Sequence, residues 1–138
     1  MPTIVLISCV SQKLPHRARA AELYTSPLFV GALRYARSLN PDAIYILSAK
    51  YGLLDLEAEI EPYDVTLLNM RASEVRAWAA RVLAQLRLCT DPQRDHYVFL
   101  AGEKYRQYLV PHMRSYEVPM QGLSIGRQLQ FLARHGHE

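Results

Sequence analysis

Three short apolar runs constrain this chain more than any other feature: Ile4-Val5-Leu6-Ile7, Ile44-Tyr45-Ile46-Leu47 and Tyr97-Val98-Phe99-Leu100. Each is too short for a helix, carries β-branched or aromatic residues and stops at small or charged ones, the pattern of a strand covered on both faces. Segments with helical spacing lie between them. Alternation of this kind predicts a three-layer α/β domain, with a small, mainly parallel sheet and helices on both faces. With 138 residues the chain is read as a single domain over residues 1–138.

Taken in order, residues 4–7 form the first strand and residues 8–22 a long polar, basic loop containing Lys13. Loops of that length in compact domains are commonly functional or mobile. Ser26-Pro27 starts a helix, with the serine oxygen capping free N–H groups and proline at the first helical position. Leu28, Phe29, Ala32, Leu33, Ala36 and Leu39 give it one apolar face, and Asn40-Pro41 stops it. The second strand completes a β-α-β unit whose crossover is expected to be right-handed, which puts Ser8 and Ser48 at the same sheet edge. Ser73 is read as the cap of a helix over residues 74–88, with Val75, Trp78, Ala79, Val82, Leu83 and Leu86 inward. Trp78 is expected in the core. A third strand over residues 96–100 precedes a short helix over residues 104–113, broken near Pro111. A short strand over residues 115–119 follows, then a turn. Ser124 caps a last helix with Ile125, Leu129, Phe131 and Leu132 as its apolar residues.

Half the residues are hydrophobic and 21% are charged, a globular balance that excludes a disordered or membrane-embedded class. No apolar run is long enough to cross a bilayer, and the first residues lack a secretory pattern, so a cytoplasmic location is expected. Two cysteines, Cys9 and Cys89, sit in dissimilar contexts and suggest neither a disulfide framework nor a metal site. No cofactor is indicated. The net charge of +3 and pI near 9.0 are compatible with anionic partners.

Walker, dinucleotide-binding and nucleophile-elbow motifs are absent. What remains is a set of polar residues that the β-α-β reading carries to the carboxyl ends of the strands, where open α/β sheets bind ligands. Ser8, Cys9, Lys13, Glu22, Tyr24 and Ser26 come from the first connection, Ser48, Lys50, Tyr51, Gly52, Tyr63 and Asp64 from the second, and Gly102, Glu103 and Tyr105 from the third. Lysines beside backbone donors suit phosphate or carboxylate, a carboxylate can act as base or stabilise a developing cation, and tyrosines offer a flat face with a hydroxyl. Each has a plainer reading. Glu22 can pair with Arg19 on the surface, Asp64 can cap a turn after Pro62, and Tyr24 or Tyr63 can close the core with a satisfied hydroxyl.

The succession Ser8-Cys9-x-x-x-Lys13, Ala21-Glu22-Leu23-Tyr24-Thr25-Ser26-x-x-Phe29, Leu47-Ser48-Ala49-Lys50-Tyr51-Gly52-Leu53-Leu54 with Pro62-Tyr63-Asp64, Ala101-Gly102-x-x-Tyr105 and Pro119-x-x-Gly122-Leu123-x-Ile125-Gly126 resembles a small bacterial and phage domain family without an assigned function. The resemblance covers nearly the whole chain. Its middle motif is also similar to the YaaA-type peroxide-stress proteins, which bind DNA and whose core has been compared with uracil-DNA glycosylases. The Ser-Cys and lysine stretch is more weakly similar to accessory domains of archaeal tRNA-guanine transglycosylases. The resemblance implies a Rossmann-like or uracil-DNA-glycosylase-like fold and contact with nucleic acid or a nucleotide base. The expectation is therefore a base-handling enzyme that cleaves or exchanges an N-glycosidic bond, as in DNA repair or modification. Asp64 or Glu22 would orient water or stabilise the cationic sugar, Lys50 and Lys13 would hold phosphate, and Tyr51 or Tyr24 would stack on the base. A non-catalytic DNA- or RNA-binding stress-response module and a binder of a small anionic metabolite are the alternatives.

Overall fold

The computed structural model describes residues 1–8 and 12–136. Its elements in chain order are β1 (Thr3–Ser8), β2 (Ala18–Arg19), α1 (Ala20–Leu23), α2 (Pro27–Ser38), β3 (Ala43–Ser48), β4 (Gly52–Asp55), β5 (Glu59–Ile60), α3 (Ala72–Cys89), β6 (His96–Leu100), α4 (Glu103–Arg106), β7 (Ser115–Glu117) and α5 (Ile125–His135). Single 3₁₀ turns at Leu67–Asn69 and Val110–His112 complete it.

The main sheet has the order β4-β3-β1-β6-β7, with β3, β1, β6 and β7 parallel and β4 antiparallel at one edge. Val5, Leu6 and Ile7 of β1 have no accessible surface, as expected of a central strand packed on both faces. On the sheet lie α2, which packs on β1 and against α5, and α3, which packs on β4 and α4. The predicted three-layer α/β architecture with a mainly parallel sheet is therefore the observed one. All six inward residues expected for α3 are buried. So is Trp78, whose indole N–H donates to the Ser48 carbonyl at 2.9 Å.

Three local expectations are corrected. The basic loop is not structureless, because β2 and α1 lie within it and β2 pairs antiparallel with β5. That two-stranded ribbon joins parts of the chain about forty residues apart, a pairing with no local signal. The segment after β3 returns as β4 instead of remaining a loop. Gly52 starts that return at φ 76°, and a Cβ there would fall 2.4 Å from Gln85 Oε1, so its place is conformational. The long helix begins at Ala72, with Arg71 and not Ser73 at its N-cap position. Glu74 accepts from the Arg71 N–H at 3.1 Å, and that contact with Arg71 lowers the Glu74 pKa below its ordinary value.

Chain order makes one position in the sheet special. From β1 the chain steps to β3 on one side, and only after α3 does it return as β6 on the other. The connections leaving β1 and β6 therefore diverge, and the carboxyl ends of these two strands border a crevice. Ile7 pairs with Leu100 across that boundary.

Candidate functional site

The crevice is occupied by a cleft of about 580 Å³. Its floor is built by the ends of β1 and β6, one side by the start of α2, and the other by the connection before α5 and by α5 itself. The volume lies within the range of small-molecule sites, and the lining follows their usual composition of apolar walls with a few polar groups. Leu123, Ile125 and Leu129 supply apolar surface, backed by the buried Phe29, Phe99 and Met120. Ile125 is 68% exposed and Leu129 37% exposed, so these two apolar residues of the last helix form the open wall of the cleft. Helical periodicity reports an apolar face but cannot say whether protein or ligand covers it.

Five of the expected site residues line the cleft: Ser8, Ser26, Gly102, Glu103 and Tyr105. Ser8 ends β1, and its Oγ accepts the Gly102 N–H at 3.1 Å. This contact holds the turn after β6 against the end of β1 and brings Glu103 into the lining. Ser26 caps α2, its Oγ accepting the Phe29 N–H at 3.2 Å. In both cases the serine oxygen is used as an acceptor, which leaves each hydroxyl proton for a further partner. Tyr105 is buried, meets Trp78 edge to face with ring centroids 5.6 Å apart, and accepts the Leu67 N–H at 3.4 Å.

Lys104 and Arg106, from the same short helix, also reach the lining. The Lys104 ammonium donates to the carbonyls of Leu67, Leu68 and Met70 at 3.4, 3.2 and 3.4 Å, fastening the 3₁₀ turn whose Leu68 forms part of the rim. Arg106 donates from Nη1 to the Ala101 carbonyl at 2.8 Å. Neither cation was among the expected site residues, since nothing local distinguishes them from ordinary surface charges.

A second group of expected residues gathers beside the cleft, at the end of β3. Ser48 Oγ accepts the Tyr51 N–H at 3.0 Å and donates to the Tyr63 hydroxyl at 2.8 Å, which lies 2.6 Å from the Tyr24 hydroxyl. The Tyr51 and Tyr63 rings meet edge to face at 5.6 Å. Lys13 pairs with Tyr24 through a backbone bridge, and its Nζ lies 4.6 Å from the Tyr63 ring centroid. Lys50 Nζ lies 5.3 Å from the Tyr51 centroid. Tyr24 touches Phe29 at 5.2 Å between centroids, so the cluster backs directly onto a cleft wall. Its side chains, by contrast, do not line the cleft.

The three residues expected to do the chemistry stand apart from it. Asp64 and Lys50 are exposed, and neither is among the lining residues. Glu22 forms an exposed ion pair with Arg19, which also bonds Glu57 at 2.9 Å; these two carboxylates raise the Arg19 pKa above its ordinary value. The plainer reading of Glu22 is thus the observed one. Cys9 lies outside the described residues. No helix among the described residues is long and apolar enough to cross a membrane.

The model of a family of unknown function, DUF6884, matches residues 4–134. Neither the curated proteins nor the solved structures contain a match.

Proposed function

The chain belongs to this family of unknown function, and since membership brings no activity with it, we propose from the site that the protein handles nucleobases, as free nucleosides or within a single strand. The observation that carries this reading is the cleft of about 580 Å³ at the crevice between β1 and β6, apolar on its walls and polar at its floor. A base needs such a place. Its faces are shed from water against apolar side chains, and its edge needs a few fixed donors and acceptors. Phe29, Leu123 and Leu129 supply the first, and the Ser8 and Ser26 hydroxyls supply the second. Arg106 stands at the lining as a cation for an attached phosphate. The similarity of the middle motif to DNA-binding peroxide-stress proteins supports the same reading from the sequence side. The proposed reaction is cleavage or exchange of the N-glycosidic bond, for which a base held apart from the rest of its substrate is the natural starting state.

Calorimetric titration with bases, nucleosides, nucleotides and short oligonucleotides tests the reading. Binding of a base-containing ligand is expected, with a loss of tenfold or more in Leu129→Trp, where the larger ring fills the cleft. Absence of binding by every member of the panel would remove the proposal. Binding without release of free base would favour the non-catalytic module, and a steep loss of oligonucleotide affinity with salt would then identify phosphate contacts as its main source.

A further inference from the structure

The geometry points to Glu103 as the catalytic carboxylate of this site, a role that rests on the base-handling reading above. A carboxylate serves N-glycosidic chemistry only where it can reach the anomeric carbon or the water that attacks it. Among the described residues that line the cleft, Glu103 is the acidic one. It is exposed and forms no ion pair among the described residues, in contrast to Glu22, whose carboxylate is engaged by Arg19. Its backbone is also held in place. Glu103 directly follows Gly102, whose N–H is bound by Ser8 Oγ, and it is itself followed by Lys104 and Tyr105, both anchored to the turn at Leu67–Asn69. A short helix pinned from both sides fixes the backbone from which this carboxylate projects, so its reach into the cleft is set by the fold.

The hydrolytic step balances with water as the sole co-reactant. The carbon–nitrogen bond breaks and its electron pair leaves with the base. Water adds to the anomeric carbon from the opposite side, Glu103 takes the proton that water loses, and the departing base takes up a proton from solvent. Ser8 is adjacent and keeps its hydroxyl proton, so it can donate to an acceptor atom of the leaving base as negative charge builds there. In an exchange reaction a second base replaces water, and its N–H proton goes to the same carboxylate.

The test compares wild type, Glu103→Gln, Glu103→Ala and Asp64→Asn with nucleoside or oligonucleotide substrates, following free base and measuring affinity separately. Glu103→Gln is expected to lower kcat about 100-fold or more while affinity stays within about threefold, because the amide keeps the size and loses the basicity. Sodium formate is expected to restore part of the activity of Glu103→Ala by supplying a carboxylate in the vacated space. Both Glu103 variants retaining kcat within threefold, or Asp64→Asn alone losing it, would overturn the assignment while leaving the base-handling reading in place. Failure of the wild type to bind any base would overturn that reading and this assignment with it.

Discussion

The cleft between β1 and β6 and the tyrosine cluster at the end of β3 are neighbours built from the same materials to opposite ends. Both join a strand-terminal serine to aromatic and basic residues. In the cluster, Ser48 spends both its accepting and its donating capacity on protein, and the Tyr63 and Tyr24 hydroxyls complete the chain. A buried network satisfied in this way rigidifies its surroundings. In the cleft, Ser8 and Ser26 accept backbone N–H groups and keep their own protons, and apolar side chains of α5 remain uncovered. Equal residue types thus do not mean equal roles. What separates a brace from a binding site is how much bonding capacity the fold leaves unspent.

The largest effect that sharpens this contrast is expected on the cluster side. Tyr63→Phe removes the hydroxyl between Ser48 and Tyr24, leaving buried polar atoms short of a partner, and should destabilise the protein by about 2 kcal/mol. Urea unfolding would measure this, with ligand affinity changed less than twofold. A loss below about 0.5 kcal/mol would mean that the cluster is not a brace.

A smaller and mixed effect is expected where the cleft rim is fastened. Lys104→Met gives up the three carbonyl contacts that hold the turn bearing Leu68, at a cost of about 1–2 kcal/mol in stability. Affinity for a cleft ligand should fall as well, and by no more in the double variant with Leu68→Ala than in the single ones. Additive losses would show that Lys104 acts on the ligand by some route other than Leu68. The smallest effects are expected at the exposed acids. Glu22→Gln and Asp64→Asn should leave both affinity and turnover within error, because an exposed ion pair contributes little and neither residue lines the cleft. A clear loss in either would break the division into brace and site, and would return the chemistry to the β3 side.

The legible parts of the structure are those with local causes. Apolar runs announced β1, β3 and β6, Ser26-Pro27 and Ser124 marked their helices, and helical spacing gave the inner face of α3. Ser8, Ser26, Gly102 and Tyr105 were recognisable as site residues for a related reason, since each terminates or follows an element that ends at the carboxyl edge. The attraction of the Lys50–Asp64 stretch was misleading as to the cleft. It is dense in polar and aromatic residues, but much of that density is used in turning the chain into β4 and in bonding Ser48, Tyr63 and Tyr24 to one another.

The sequence by itself determined the alternation of strands and helices, their approximate limits, and the gathering of polar residues at one edge, because all of these follow from periodicity and capping within a few residues. Only the tertiary structure decided that β6 lies on the far side of β1 from β3, and hence where the crevice opens. It also decided that Ile125 and Leu129 are wall and not core, and that Glu103 lies in the cleft while Glu22 is held by Arg19. Those outcomes depend on which distant segments meet, and a residue's type states what it can bond but not what will be placed beside it.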